Sequence, residues 1–434
     1  METENINIGL LGLGTVGTEV AYQLIYNNNI INNQKSKVQI NLSKVLVNDI
    51  NKKRPDFLPT DKITDNPNDI LNDNNINLIV ELIGGDQIAL DMINQAVDKK
   101  VNIVTANKLI MSKYGHELLT RAKNNGILLL YEASVGAGIP IIGPLYHSLT
   151  ANHINRINAI INGTTNYILS NMSTGTQTFE NALKQAQNLG YAESDPTSDI
   201  EGIDAAYKLS ILASIVLNNR ITEEDVYREG ITKLSAVDFK YAKDLGYTIK
   251  LLAIGELDPE NVSLRVHPCL ISNDHLLAKV EGVYNAIEIQ GNPIGNIIFH
   301  GEGAGPKSTS SAILGDIISI ANNISNKGAN SPVNITDTTI RYIEYIHTSS
   351  SYYMRMSVQD KPGVLAEISS ILGKYNISIA SVLQTTHNQP DNIAELVMIT
   401  HPAVVNNLNT AISQIEKSNQ IKSVDSLVRI EDLN

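Results

Sequence analysis

Gly12 ends the apolar run INIGLLG, and Gly14 and Gly17 follow it directly ahead of the helical run TEVAYQLIY. Glycine at these places permits a tight turn and a close backbone approach, and the amide groups that open a helix favour an anionic phosphate in front of them. Strand, GxGxxG turn and helix in that order fit a dinucleotide site at the first crossover of a parallel sheet. The segments that follow agree. INLSKVLV, INLIVELIG, VNIVTAN and GILLLYEAS are short apolar runs separated by helical patterns up to residue 130, which predicts a Rossmann-like doubly wound parallel sheet over residues 1–130.

Beyond residue 130 the pattern changes. INAIINGTTNYILSNM, the helix that follows DIEGIDAAYKLSILASIV, and the strands SLRVHPCLI and AIEIQGN predict a mixed α/β catalytic and oligomerisation domain over residues 131–320. The polar, aperiodic stretch ANNISNKGANSPVNITD places a linker at 321–348. Residues 349–434 then read strand, amphipathic helix, two strands, helix and strand, a βαββαβ unit. A chain of 434 residues has room for three such domains.

The second strand, KVLVND, is expected to end beside the adenine ribose, where an acid selects NAD and a base NADP. Asn48 and Asp49 come first and Lys52, Lys53 and Arg54 follow, so the expected cofactor is NADP or NAD. A net charge of -12 disfavours nucleic acid and anionic membranes as partners and points to small molecules. Cys269 is the one cysteine, which rules out an intrachain disulfide and suits a reducing compartment. METENINIGLLGLG has no basic region or cleavage site of a leader, and no apolar run approaches the roughly 18–20 residues of a membrane span. A cytoplasmic location is expected.

GYAESDPTSDIEGIDAAYKL gathers five carboxylates and one lysine into a turn and a helix start. Lys208 follows Asp204 by four positions, which puts both on one helical face. A pair on a helix as apolar as IDAAYKLSILASIVL is not a casual surface pair. Lys108, in TANK, stands where the carboxyl end of a parallel strand faces the cofactor crevice. Glu193 lies in a turn broken by Asp195-Pro196; Asp195 and Asp199 read as turn and N-cap residues and Glu201 as a first-turn acid.

Taken together and in order, GLLGLGTVG, TANK, YEASVGAGIPI, NGTTNYIL, GYAESDP, GIDAAYKL, LGYTIKLLA and GEGAGPKSTSSAILGDI resemble homoserine dehydrogenase across residues 1 to about 320. The C-terminal unit, with DKPGVLAEIS after its first strand, resembles an ACT domain. The resemblance implies interconversion of L-aspartate 4-semialdehyde and L-homoserine with NAD(P)(H), a step toward threonine, methionine and isoleucine. It makes Lys208 and Lys108 rival proton donors, gives Asp204 the holding of the lysine and the reacting oxygen or a water, and gives Glu193 the substrate ammonium. Cofactor contacts carry over to Gly12, Gly14, Thr15, Val16, Gly17, Gly84, Lys108 and Gly305. Thr164 and Thr165 line the same cleft, with Asn162 and Gly163 shaping the turn. A monovalent cation, sodium, maps onto Glu132, Val135, Ala137 and Ile139. An amino-acid effector, threonine, maps onto Asp360, Gly363, Asn376 and Ile377. Pro362 is expected in the first turn of the helix there.

A homodimer or homotetramer is implied. Ser194 and Ser198 depart from the family pattern, where a proline and an acid are common. Two other readings are a different NAD(P)-dependent dehydrogenase of amino-acid pathways and a catalytically silent amino-acid sensor on the same fold. The GYAESDP and YEASVGAGIPI pair speaks against the former, and the presence of Glu193, Asp204, Lys208 and Lys108 together against the latter. Deleting residues 349–434 is expected to remove effector sensitivity and to leave some activity, unless the module serves only in oligomerisation and is needed for assembly.

Overall fold

The computed structural model describes residues 4–26, 38–325, 340–386 and 392–433. The chain forms two compact units, one of residues 1–155, 207–225 and 288–339 and the other of residues 156–206, 226–287 and 340–434.

In the first unit, β1 (Glu4–Leu11), β2 (Val38–Leu46), β3 (Ile63–Thr64), β4 (Leu78–Glu81), β5 (Asn102–Thr105) and β6 (Leu129–Leu130) form a six-stranded sheet in the order β3-β2-β1-β4-β5-β6. Every pairing is parallel. The strand order reverses at β1, so a crevice opens at the carboxyl ends of β1 and β4, where doubly wound sheets bind ligands. Ile6, Ile8 and Leu10 of β1 share one core with Val20 and Leu24 of the helix Thr15–Tyr26 and with Ile313, Ile317 and Ile320 of the helix Pro306–Ser325. Burial on both faces is why β4 and the ends of β1 and β2 read as continuous apolar runs, while the starts of β1 and β2 alternate with polar residues. The two-residue strand β3 is too short to leave a sequence pattern. The last strand is also shorter than GILLLYEAS suggests, because the chain turns at once into a 3-10 helix, Glu132–Ser134.

The later strands are β7 (His153–Ile160), β8 (Tyr227–Arg228), β9 (Tyr247–Asp258), β10 (Asn261–Ser272), β11 (Tyr284–Asn292), β12 (Gly295–Glu302), β13 (Ser349–Gln359), β14 (Ile379–Thr386), β15 (Ile393–Thr400), β16 (Ala403–Val404) and β17 (Ile421–Ile430). Within the second unit β7, β9, β10, β17, β13, β15 and β14 are successive neighbours in one sheet. The C-terminal module is βαββαβ, with the helices Val364–Lys374 and Val405–Ile415 between its strands.

Strand alternation divides the two faces of that module. Met354, Met356 and Val358 of β13 pack with Ile368, Leu372, Leu408 and Ile415 of its helices. On the opposite face, Arg355 Nε donates to Asp238 Oδ1 at 2.8 Å and Tyr353 Oη to the same atom at 3.1 Å. Its last strand pairs with β10 through Cys269–Arg429 and Leu270–Ile430, and Arg265 meets Glu431 at 3.2 Å, both side chains 5% exposed.

Of the stretch expected as a linker, residues 326–339 lie outside the described residues. Ahead of them the helix Pro306–Ser325 runs to its end, and after them Arg341 and Ile343 hydrogen-bond to Val262. Among the described residues, no helix is long and apolar enough to cross a membrane. Cys269 is buried, which pushes its thiol well above the usual range.

Candidate functional site

The glycine turn after β1 leaves little freedom of substitution. Gly12 has φ +100°, and a Cβ there would lie 2.6 Å from the Leu82 carbonyl oxygen; one at Gly17 would lie 2.2 Å from that of Gly12. Gly14 is exposed, and a Cβ there would meet nothing within 4 Å. Two glycines therefore shape the turn and the middle one leaves its outer side open, as close approach of a pyrophosphate requires. Thr15 and Val16 open the helix whose N-terminus closes the turn.

Side chains shape the neighbouring loops. Glu81, fully buried at the end of β4, accepts Ile83 N at 2.8 Å and Gly84 N at 3.3 Å with one oxygen, and the Thr105 hydroxyl at 2.6 Å with the other. That hydroxyl also accepts Asn107 N at 3.0 Å. Asn107 caps the helix Lys108–Asn124 and donates to Gly85 O at 2.8 Å. These bonds tie Gly84 to the half-buried Lys108. A cation in the first turn of a helix opposes the macrodipole, so folding does not explain Lys108. Gly305, with φ +119°, immediately precedes the helix Pro306–Ser325.

The helix Ile203–Leu217 carries Asp204 in its first turn and Lys208 one turn later, 2% and 8% exposed. Tyr207 begins the share of this helix that belongs to the first unit. Two residues beyond Lys208, the Ser210 hydroxyl meets that of Ser112 at 2.7 Å, and Ser112 donates to Glu223 Oε2 at 3.3 Å. Ser112 stands one turn beyond Lys108. The helices that carry the two lysines are thus fastened by a buried polar contact that no motif advertises.

In the second unit Asn162 caps the helix Gly163–Met172, its Oδ1 accepting Thr165 N at 2.8 Å. Its amide donates to Asp199 Oδ1 at 2.7 Å and to Asp204 Oδ2 at 2.9 Å. Asp199 is therefore not the expected N-cap; it lies within the short helix Thr197–Ile200, which Pro196 precedes, and its carboxylate turns to Asn162. Asp195 does act in the turn, accepting Thr197 N and Oγ1 at 3.1 and 2.6 Å. Glu201 falls between the two helices rather than in a first turn. Thr164 Oγ1 donates to Tyr191 O at 2.6 Å, two residues before the exposed Glu193, whose own carbonyl accepts Gln187 Nε2 at 3.1 Å. One helix start thus holds both ends of GYAESDPTSDIEGID.

Glu132 has work of its own. Its carboxylate accepts Ile141 N at 2.6 Å, Ile142 N at 2.8 Å and Gly143 N at 2.6 Å, at the start of the helix Ile142–Tyr146. Its amide donates to Asp316 Oδ2 at 2.8 Å, and burial pushes the Asp316 carboxyl up to about 7. Val135, Ala137 and Ile139 follow in a buried, irregular stretch in which Ala137 adopts φ +50°. Among the described residues no hydrogen bond reaches their carbonyl oxygens. Hard monovalent ions take oxygen ligands, so these main-chain oxygens fit such an ion better than a carboxylate already holding three amides.

In the C-terminal module Asp360 is exposed and accepts Gln384 Nε2 at 3.4 Å. Gly363, with φ +98°, is the N-cap of the helix Val364–Lys374, so Pro362 stands ahead of the first turn, not in it. Asn376, with φ +59°, and the buried Ile377 close the same helix.

Comparison with known proteins accords with this arrangement. A family model described as the NAD binding domain of homoserine dehydrogenase matches residues 12–132, one described as homoserine dehydrogenase matches 140–318, and one described as ACT domain matches 352–419. A homoserine dehydrogenase of Synechocystis is 39% identical, covering 98% of this chain and 99% of that protein, and one of Bacillus subtilis is 34% identical, covering 98% of each. The crystal structure of a homoserine dehydrogenase from Thiobacillus denitrificans has a TM-score of 0.92 at 37% identity and covers 99% of both chains. A hyperthermophilic archaeal homoserine dehydrogenase, solved in complex with NADPH, has a TM-score of 0.63 at 29% identity, covering 76% of this chain and 100% of that one. On the matched domains and on identity that runs the length of the chain, it belongs to the homoserine dehydrogenase family.

Proposed function

We propose that the family's reaction, hydride transfer between NAD(P)(H) and L-homoserine or L-aspartate 4-semialdehyde, is run here by Lys208, Lys108 and Asp204, with Glu193 on the substrate ammonium. The observation that carries this reading is the Asn162 amide bonded to both Asp199 and Asp204, because it holds a carboxylate at the start of the helix that presents Lys208. The nicotinamide supplies or accepts the hydride. In the reducing direction the carbonyl oxygen gains a proton as its carbon gains hydride, and a lysine ammonium is the donor; in the oxidising direction the same nitrogen takes the proton back. Desolvation works against the ammonium and the Asp204 carboxylate works for it. Glu193, exposed at the turn, offers a charge-assisted hydrogen bond to the α-ammonium common to substrate and product.

Gly12, Gly14, Thr15, Val16, Gly17, Gly84, Lys108 and Gly305 serve the cofactor in this reading, the glycine turn receiving the pyrophosphate. Sodium is held by the main-chain oxygens of Val135, Ala137 and Ile139, with Glu132 bracing the loop through its three amide bonds. Threonine is the effector of the C-terminal module, at Asp360, Gly363, Asn376 and Ile377. The enzyme works as a homodimer or homotetramer in the cytoplasm. Buried Asp204 and Lys208 speak against a silent sensor, since burying ionised groups is costly without a use for them.

Homoserine-dependent reduction of NAD+ and NADP+ tests the reading, with wild type, Lys208→Ala and Lys108→Ala side by side. Loss of a positioned general acid and base is expected to cut kcat by about a hundredfold or more. The variant with that loss names the proton donor, and near-normal kcat in both would refute the assignment.

A further inference from the structure

Lys250, on β9, is 2% exposed. Its ammonium donates to Asn166 Oδ1 at 3.1 Å and to the Val280 carbonyl oxygen. The Asn166 amide in turn donates to the carbonyls of Val280, Gly282 and Tyr284 at 3.1, 3.0 and 3.0 Å. One ammonium and one amide thereby gather three carbonyls of a single loop, residues 280–284. Gly282 N adds a bond to Ser170 Oγ at 3.1 Å. The loop lies so close to the helix Gly163–Met172 that a Cβ on Gly163 would fall 2.9 Å from Val283 O.

A buried lysine is an expensive way to fill space. An apolar side chain of similar size would cost nothing in desolvation, and burial pushes this ammonium down to about 8, with Glu281 the charge that works the other way. What the lysine supplies and an apolar residue cannot is a donor that turns loop carbonyls inward and fixes the loop on the first turns of one helix. That helix starts with Asn162, bonded to Asp204, and with Thr164, bonded to Tyr191 just ahead of Glu193.

We propose that Lys250 is a positioning residue for homoserine: by clamping loop 280–284 onto the helix Gly163–Met172 it sets where Asn162, Asp204 and the Glu193 turn stand. The proposal rests on the substrate site described above. It predicts an effect confined to the amino-acid substrate, since the Lys250 bonds end on the helix that holds the carboxylates and not on the glycine turn.

The test compares full-length wild type, Lys250→Met, Ser170→Ala and Glu193→Gln by kcat, KM for homoserine, KM for NADP+ or NAD+, and thermal midpoint. In Lys250→Met the homoserine KM is expected to rise about tenfold, the scale of a lost hydrogen bond from a charged group, with kcat falling by less than that as Asp204 shifts with the clamp and the cofactor KM within about twofold. A role in stability alone would lower the midpoint and the yield of active enzyme and leave the homoserine KM unchanged, and that result overturns the proposal. Should Lys250→Met not fold, Ser170→Ala decides: a homoserine KM raised about threefold, as for a neutral hydrogen bond, supports the clamp, and an unchanged one overturns it. A homoserine KM that rises in Glu193→Gln but in neither clamp variant sinks this proposal and leaves the substrate site standing. An unchanged homoserine KM in Glu193→Gln sinks the substrate site, and the proposal falls with it.

Discussion

Two regions on which the proposed function draws, one in each compact unit, are made of different material. Around β1, β4 and β5 the chain presents main chain: a Cβ on Gly12 or Gly17 would fall 2.6 or 2.2 Å from a backbone oxygen, so both must be glycine, and Gly14 stays open. Around the helix Gly163–Met172 the chain presents side chains, with Asn162 reaching Asp199 and Asp204, Thr164 reaching Tyr191, and Asn166 joined to Lys250. A backbone site depends on what is missing from a few neighbouring residues. A side-chain site depends on partners far apart in the chain, Lys250 and Asn166 being 84 residues distant.

The largest effect is expected at the C-terminal module, because β9, which carries Lys250, lies in the same sheet as that module. Removing residues 349–434 strips β17 from β10, takes Glu431 from the buried Arg265, and takes Arg355 and Tyr353 from the fully buried Asp238. Arg265 keeps Glu256 and Asp238 keeps Ser235, but the edge of β10 loses its partner strand and the apolar surface under the module meets water, against a total stability of only roughly 5–15 kcal/mol for a typical domain. The truncated chain is therefore expected to lose its cooperative melt and its soluble, active form, which size-exclusion chromatography and a thermal scan would read. This differs from the detachable regulator that the sequence suggests. A soluble truncation with homoserine-dependent activity would restore that view.

A smaller effect tests the main-chain region. Gly12→Ala places a methyl against the Leu82 carbonyl at a φ of +100°, and such strain costs about 1–3 kcal/mol. The KM for NADP+ or NAD+ is expected to rise roughly 5- to 150-fold by the usual tenfold per 1.4 kcal/mol, while the homoserine KM at saturating cofactor stays near that of wild type. Equal losses for both substrates would mean that the two regions are not separate in kind.

Legibility in the sequence follows the same division. The GxGxxG turn was readable because glycine is demanded by local geometry, and β1, β2, β4 and β5 because their buried positions are nearly all apolar, recurring at every second residue at the start of β1 and β2 and running together at their ends and through β4 and β5. The βαββαβ module was readable because Met354, Met356 and Val358 alternate with Tyr353 and Arg355 around one core. What escaped was non-local. Asp199 looks like a cap from its neighbours, yet its partner Asn162 lies 37 residues upstream. Glu81 and Ser112 carry no motif. The contact of Ser112 with Ser210 spans 98 residues, beyond the reach of any periodicity.

At Lys250 the smallest effect is expected, a slope with pH instead of a loss. Burial pushes its ammonium down to about 8 in the folded chain, against an ordinary value of 10.5. Between those values the unfolded chain binds one proton more than the folded chain, and stability rises with pH wherever the unfolded state binds more protons. The penalty of the buried charge is thus fully present below pH 8 and is relieved progressively toward pH 10.5. Wild type is therefore expected to gain unfolding free energy relative to Lys250→Met across that window, and denaturant melts of both proteins at pH 7, 8, 9 and 10 would measure it. Parallel curves would mean that the Lys250 ammonium keeps an ordinary pKa, and with it that the clamp carries no desolvation cost.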